Sequence, residues 1–249
     1  MAFVLETQGL VKRFGGVFAT RDVSLQLQAG ARHALIGPNG AGKTTFVNLL
    51  TGVLAPTSGT IRLSDEDITR LRPEARVHRG LARTFQISQL FRKLTVFESL
   101  GIAVNEQRGT GSRLLGRFSS DRKTRERVES LAHDFSLNGV LDTRTSELAY
   151  GRQRLLEIAL AFACQPRVLL LDEPAAGVPE AEREGLLATI DRLPKDVAIL
   201  LIEHDMDLVF SFANQITVLV EGAVLTSGPA AEIANDARVR AVYLGEADD

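Results

Sequence analysis

One eight-residue segment constrains the fold of this chain more than any other feature. The segment Gly37-Pro38-Asn39-Gly40-Ala41-Gly42-Lys43-Thr44 fits the pattern G-x-x-x-x-G-K-[ST]. The apolar run Ala34–Ile36 precedes it, and apolar side chains recur at helical spacing after Lys43 until Gly52. A buried strand, a glycine-rich loop and a helix therefore follow one another, and this order predicts an α/β fold.

Such a loop is suited to hold phosphate groups. Its glycines let backbone N–H groups curl around phosphate oxygens, and the following helix directs its positive end at them. Lys43 adds a full positive charge, and Thr44 is expected to coordinate Mg²⁺. We include Thr45 in the same predicted binding segment. The alternative is a plain glycine turn, which the flanking strand and helix disfavour.

Two further apolar runs end in residues that can serve phosphate chemistry. Val168–Leu171 leads into Asp172 and Glu173, and Val197–Ile202 leads towards His204. Open α/β sheets place their ligands at the carboxyl ends of strands. We expect Asp172 to hold the Mg²⁺ shell, Glu173 to orient or deprotonate the attacking water, and His204 to hydrogen-bond the γ-phosphate. Taken alone, an acidic pair is more often a helix N-cap and a lone histidine a structural residue.

Alternating strand and helix patterns predict a parallel sheet interrupted by a helix-rich insertion. The predicted helices are Thr95–Val104, Thr124–Leu137, a helix from Glu147 to about Ala163, Glu180–Leu193 and a terminal helix Glu232–Leu244. We predict a strand at Val23–Leu27, a hairpin from Ile216–Val220 and Ala223–Thr226, and a loop at Arg108–Ser120.

Composition narrows the functional classes. The 249 residues are 45% hydrophobic and 24% charged, with a formal net charge of -2, so no overall basic field favours nucleic acid as a partner. Cys164 is the single cysteine, which excludes an intrachain disulfide and favours a reducing compartment. The N-terminus does not read as a signal peptide, and the apolar runs are shorter than the roughly 20 residues of a membrane span. We therefore expect the isolated chain to be soluble.

The order of these motifs resembles the ATPases of ABC transporters. Between the phosphate loop and Asp172 lies Leu148-Ala149-Tyr150-Gly151-Arg152-Gln153-Arg154, which resembles the family's LSGGQ signature. In that family two subunits pack head to tail, and the signature of one covers the ATP of the other. The resemblance implies that Ala149, Tyr150 and Gly151 bind nucleotide in trans. Ala149 replaces the usual serine, so binding is expected to depend on the backbone N–H groups near Gly151.

The resemblance assigns roles to two more residues, and at one position the sequence differs from the family pattern. Gln86, in Arg83-Thr84-Phe85-Gln86, matches the glutamine that reaches Mg²⁺ and the attacking water. Phe14 occupies the place of the aromatic residue that stacks on adenine, although a core phenylalanine is the alternative. Pro179 stands where the family has Asp or Asn, which puts the usual contact between the two sites in doubt.

Six short segments resemble the corresponding segments in the ATP-binding subunits of branched-chain amino acid importers. Urea and short-chain amide importers share much of this pattern. The segments are Arg13-Phe14-Gly15-Gly16, Arg83-Thr84-Phe85-Gln86, Leu148-Ala149-Tyr150-Gly151, Glu173-Pro174-Ala175-Ala176-Gly177, Ile202-Glu203-His204-Asp205-Met206 and Tyr243-Leu244-Gly245-Glu246. A lipopolysaccharide-export ATPase or a soluble ABC ATPase is a more distant alternative.

The resemblance implies an α/β P-loop NTPase core of ABC type, with a mostly parallel central sheet, an N-terminal antiparallel β portion and a helical subdomain. Residues 1–86 and 148–249 would form the nucleotide-binding core and 87–147 the helical subdomain, with the signature 148–154 at its end. It also implies ATP and Mg²⁺ as cofactors and a homodimer or a heterodimer with a paralogue. The other partners would be membrane-spanning permease subunits and an extracytoplasmic binding protein, which places the chain at the cytoplasmic face of the membrane.

Overall fold

A computed structural model describes residues 3–84, 90–109 and 121–244 of the chain. These residues belong to two compact units. Unit 1 comprises Met1–Leu81, Arg167–Glu173 and Lys195–Asp249, and unit 2 comprises Ala82–Pro166 and Pro174–Pro194. The division of the chain into a core and a helical subdomain of residues 87–147 remains a prediction.

The described residues form ten strands and nine α-helices. In chain order the strands are β1 (Phe3–Phe14), β2 (Val17–Gln28), β3 (Arg32–Ile36), β4 (Ser58–Leu63), β5 (Glu66–Asp67), β6 (Leu81–Arg83), β7 (Val168–Asp172), β8 (Ala198–Ile202), β9 (Gln215–Val220) and β10 (Ala223–Pro229). The helices are α1 (Lys43–Thr51), α2 (Pro73–His78), α3 (Val96–Gln107), α4 (Arg122–Asp134), α5 (Tyr150–Ala163), α6 (Glu180–Asp191), α7 (Met206–Phe212), α8 (Ala230–Ile233) and α9 (Ala237–Leu244).

Two sheets organise unit 1. The first has four strands in the order β2-β1-β4-β5 with antiparallel pairing, and the second has the unit 1 strands in the order β10-β9-β3-β8-β7. In the second sheet β3 pairs in parallel with both β8 and β9, and β7 pairs in parallel with β8. Every residue of β3, β7 and β8 is buried, because a central parallel strand is covered on both faces. The predicted parallel sheet, antiparallel N-terminal portion and β9–β10 hairpin are confirmed.

A buried arginine anchors the C-terminal end of α1. The guanidinium of Arg76 donates to the carbonyls of Leu49 and Leu50 at 2.7 and 2.6 Å, and also to those of Thr69 and Leu71. These bonds satisfy carbonyls that have no partner within the helix. Burial lowers the pKa of Arg76 to about 10, so the group stays charged near neutral pH. The helix that follows the glycine-rich loop is therefore held at its C-terminal end.

A buried histidine ties two parallel strands of unit 1 together. His33 on β3 is 6% exposed, and its Nε2 lies 2.8 Å from the hydroxyl of Thr217 on β9. Thr217 in turn lies 2.8 Å from the hydroxyl of Ser227 on β10. Burial lowers the pKa of His33 from 6.5 to about 4, because a charged imidazole is poorly solvated there.

This depressed pKa predicts how stability depends on pH. Between pH 6.5 and about 4 the unfolded chain binds the His33 proton and the folded chain does not, so stability falls as the pH falls through this range. Below both values the loss amounts to roughly 3 kcal/mol. We expect His33→Asn, which does not titrate, to remove this part of the pH dependence. Urea unfolding at several pH values measures it, and pH profiles that stay parallel would contradict the assignment. His78→Asn, at an exposed position of α2, is the matched control.

Unit 2 is built from α3, α4, α5 and α6. A capping box formed by Thr95 and Glu98 starts α3, with the Thr95 hydroxyl accepting from the Glu98 backbone N–H and the Glu98 carboxylate accepting from that of Thr95. Phe135 and Phe162 pack with ring centroids 5.7 Å apart. None of the described helices has the length and apolar character needed to cross a membrane.

Several predicted helix boundaries were wrong. α3 continues to Gln107 rather than ending at Val104, α4 spans Arg122–Asp134 rather than Thr124–Leu137, and α6 ends at Asp191 rather than Leu193. The helix expected from Glu147 starts at Tyr150, because Thr145–Glu147 forms a short 3-10 turn and the next two residues are extended. The terminal helix expected from Glu232 is two helices, α8 and α9. The carboxylate of Asp236 accepts from the backbone N–H of Arg238 at 2.8 Å, and such a side chain competes with helical hydrogen bonds.

Candidate functional site

The glycine-rich loop lies between the end of β3 and the start of α1, as the sequence predicts. Gly42 adopts a left-handed conformation with φ 97°, and a Cβ there would overlap the carbonyl oxygen of Ala19. The ammonium of Lys43 donates to the carbonyls of Gly37 and, at 3.0 Å, Pro38. Lys43 therefore lies across the loop, with its charge beside the backbone that is predicted to hold phosphate.

The carboxyl ends of three neighbouring strands meet at this edge of the sheet. Leu35 of β3 is paired with Ile202 of β8, and Ile202 is paired with Asp172 of β7. Because the strands are parallel, the glycine-rich loop, Glu173 and the residues after β8 all leave the sheet on the same side. The structure brings together the residues that the sequence predicts for phosphate chemistry in unit 1.

Glu173 and His204 lie close to each other at this edge. Glu173 has a positive φ of 45°, and its backbone N–H donates to the carbonyl of Ile202 at 2.9 Å. The Nδ1 atom of His204 is 3.9 Å from a carboxylate oxygen of Glu173 and 3.8 Å from one of Glu203. A non-glycine residue in this conformation costs about 1–3 kcal/mol and is typical of functional positions. The side chains of Glu173 and His204 are 28% and 66% exposed, so both can reach a bound ligand.

Phe14 lies at the end of β1 in the β1–β2 hairpin and is 50% exposed, which excludes the alternative of a core phenylalanine. The Nζ atom of Lys12 lies 5.1 Å from the centroid of its ring. The β2 strand of the same hairpin contacts the glycine-rich loop, since the carbonyl of Ala19 faces Gly42. The exposed ring of Phe14 therefore lies on the β1–β2 hairpin, which contacts the glycine-rich loop.

The predicted signature lies in unit 2 at the start of α5. Ala149 is the N-cap residue and offers no side-chain cap, whereas Tyr150 is 41% exposed and Gly151 is buried. A Cβ on Gly151 would overlap the carboxylate end of the Glu182 side chain, which would have to rotate away. The first turn of α5 thus presents backbone N–H groups, which is the feature that anions recognise.

Comparison with known proteins shows the family of this chain. The family model described as ABC transporter matches residues 20–176. The chain belongs to the ABC transporter family. A second family model, described as branched-chain amino acid ATP-binding cassette transporter, matches residues 223–249 of this ABC-type ATPase.

Named relatives and solved structures of ABC proteins extend over nearly the whole chain. It is 42% identical to the high-affinity branched-chain amino acid transport ATP-binding protein BraF of Pseudomonas aeruginosa, over 98% of each chain. It is 43% identical to LivG of Escherichia coli K12, which carries the same description, again over 98% of each. A solved ATP-binding cassette of an ABC transporter in its ADP conformation has a TM-score of 0.87 at 28% identity, covering 98% of this chain and 100% of that one.

The oxygen donors of this ABC protein fit a magnesium ion bound together with phosphates. Thr44 is exposed in the first turn of α1, and Asp172 is a 3% exposed carboxylate at the end of β7. Within the described residues no group of three or more His, Cys, Asp or Glu side chains could hold a metal alone. Mg²⁺ is usually held by one or two protein oxygens plus substrate phosphates and water, and these two residues match that mode.

The predicted site residues of the ABC protein fall in both units. The glycine-rich loop with Thr45, Phe14, Asp172, Glu173 and His204 belongs to unit 1, and Ala149, Tyr150 and Gly151 belong to unit 2. Gln86 lies outside the described residues. Gly245 and Glu246 of the segment Tyr243–Glu246 also lie outside them.

Two features near the predicted site residues were not predicted from the sequence. Glu203 is a 2% exposed carboxylate that accepts from the backbone N–H of His204 at 3.2 Å. The sequence signal for Glu203 was the position of an acidic residue directly before His204, at the end of a buried strand. The contact between Gly151 and Glu182 carried no signal in the sequence, because the two residues are far apart in the chain.

Proposed function

We propose that this chain is the ATP-hydrolysing subunit that powers an ABC importer for branched-chain amino acids. The observation that carries the proposal is the glycine-rich loop beside Asp172, Glu173 and His204 at one edge of a parallel sheet. The family match at residues 223–249 and the names of BraF and LivG support the choice of solute.

Each residue of the unit 1 site has a place in hydrolysis. The loop and Lys43 hold the phosphates of ATP. Thr44 and Asp172 would hold Mg²⁺, which would supply positive charge to neutralise the phosphates. Glu173 orients water and accepts its proton as the water oxygen attacks the γ-phosphorus. The bond between the γ-phosphorus and the bridging oxygen breaks, and ADP leaves with that oxygen. His204, which lies near Glu173, hydrogen-bonds the γ-phosphate.

Two binding roles complete this part of the proposal. Phe14 stacks on adenine, which its exposed ring permits. Gln86 reaches Mg²⁺ and the attacking water, an assignment that rests on the resemblance alone.

A second subunit closes the site. Two copies, or one copy and a paralogue, pack head to tail, and the segment Ala149, Tyr150 and Gly151 of each covers the ATP of the other. The uncapped start of α5 supports this role, because free N–H groups and the helix dipole attract a γ-phosphate. ATP closes the dimer and hydrolysis reopens it.

The remaining partners are membrane proteins and a solute-binding protein. We propose that the insertion after Gln86 docks on the cytoplasmic helices of the permease, which holds the chain at the membrane surface. Phe91, which is 61% exposed, lies in this predicted docking region. An extracytoplasmic binding protein delivers the solute, and nucleic acid has no role.

Two measurements test the proposal. Calorimetric titration of the purified chain with ATP is expected to show saturable binding that strengthens with Mg²⁺. In vesicles containing the chain with its permease and binding protein, leucine, isoleucine or valine is expected to stimulate ATP hydrolysis. Absence of magnesium-dependent ATP binding would contradict the nucleotide site, and stimulation by urea or acetamide alone would assign the chain to an amide importer.

A further inference from the structure

A hydrogen-bond network in unit 2 connects the first turn of α5 to the turn Pro174–Gly177. The hydroxyl of Tyr150 donates to the carbonyl of Ala176 at 3.1 Å. The guanidinium of Arg154 donates to that hydroxyl at 3.0 Å and to the same carbonyl at 3.2 Å. One phenol and one guanidinium therefore converge on a single backbone oxygen.

The surrounding contacts hold this network in one geometry. Arg154 and Glu157 form an ion pair of 2.9 Å with both side chains 7% exposed, and the Arg154 guanidinium lies 5.3 Å from the centroid of the Tyr150 ring. An ion pair so buried leaves Arg154 little freedom to move away from Tyr150.

The turn itself is shaped to receive the tyrosine. Gly177 has a φ of +74°, and a Cβ at this position would lie 2.9 Å from the Tyr150 hydroxyl oxygen and 3.1 Å from the adjoining ring carbon. Any side chain would therefore push the turn away from Tyr150. The close approach of turn and ring is a built feature of this segment.

The location of the network gives it a functional meaning. Tyr150 directly precedes Gly151 in the segment proposed to cover the ATP of a second subunit. The turn that it holds directly follows Glu173, the residue proposed to activate water. We propose that Tyr150 is a positioning residue, which fixes the turn after Glu173 relative to α5 and so links the covering of one ATP to hydrolysis of the other. This inference rests on the proposed function.

Tyr150→Phe tests the inference, because it removes one oxygen atom and keeps the ring. Arg154 still donates to Ala176 in this variant, so we expect the thermal unfolding midpoint to stay within about 2 °C of wild type. The turnover number for ATP is expected to fall about threefold to tenfold, as for the loss of one hydrogen bond, with KM within about twofold. Tyr243→Phe removes the same atom from α9 and is the matched control.

The outcomes separate this inference from the proposed function. A lower turnover number with an unchanged unfolding midpoint supports Tyr150 as a positioning residue. An unchanged turnover number overturns the inference, and so does a lower turnover number that is accompanied by a lower unfolding midpoint. In both cases, hydrolysis of ATP by the wild-type chain still supports the proposed function. A wild-type chain that hydrolyses no ATP overturns both the inference and the proposed function.

Gly177→Ala provides a second variant, which is expected to lower the turnover number by displacing the same turn. Its control is Gly185→Ala on α6, where a Cβ meets open space, and this variant is expected to have the wild-type turnover number.

Discussion

Glu173→Gln is expected to lower the turnover number for ATP by about 10²- to 10⁴-fold, which is the usual contribution of a general base. Glutamine keeps the size and most contacts of the glutamate, but its amide cannot accept a proton from water. ATP affinity is expected to stay close to that of wild type, because the phosphate-binding loop is unchanged. Phosphate release measures turnover, and calorimetric titration measures binding.

A closed dimer provides a second readout for this variant. With hydrolysis blocked, ATP is expected to hold two copies together, so that size-exclusion chromatography with ATP shows a dimer that persists. Glu184→Gln, an exposed position on α6, is the matched control and is expected to hydrolyse ATP at the wild-type rate. Hydrolysis by Glu173→Gln at that same rate would refute the proposed role.

Lys43→Ala is expected to weaken ATP binding by roughly ten- to a hundredfold, the loss typical of one hydrogen bond to a charged group. In the structure the ammonium of Lys43 donates to the carbonyls of Gly37 and Pro38, so it already lies beside the loop. Removing it leaves the backbone N–H groups of the loop without the full positive charge that is proposed to face the β- and γ-phosphates. Calorimetric titration with MgATP measures the change in affinity.

Two further variants separate lost charge from a loosened loop. Lys43→Met keeps most of the apolar stem, and we expect it to lose as much affinity as Lys43→Ala. Lys123→Ala removes an exposed charge from α4 and is expected to bind ATP as wild type does. Normal ATP affinity in Lys43→Ala would count against the loop as the phosphate site.

Local sequence patterns predicted the central part of the fold. The apolar run before Gly37 is strand β3, and the apolar side chains after Lys43 belong to α1, which ends at Gly52 in a left-handed conformation. The runs before Asp172 and Glu203 are the buried strands β7 and β8. These predictions succeeded because a continuous apolar run is a local signal of a buried strand, and a glycine is a local signal of a turn.

The errors came from regions where local signals compete. The helical pattern around Glu147 extends across a 3-10 turn that ends in two extended residues, so periodicity alone placed the start of α5 too early. The first sheet depends on pairing between β1 and both β2 and β4, and the alternating pattern predicted only the Val23–Leu27 part of β2. Pairing between segments far apart in the chain leaves little trace in the pattern of a single strand.

The amino-acid sequence by itself determined the position of the glycine-rich loop between a strand and a helix, the acids at the end of β7 and the membership of the chain in an ABC-type fold, because these depend on residue types at short, fixed spacing. Only the tertiary structure decided that Glu203 is buried beside His204 and that the hydroxyl of Tyr150 reaches the carbonyl of Ala176, 26 residues away. Burial and hydrogen-bond partners depend on how distant segments pack, and no short pattern specifies them.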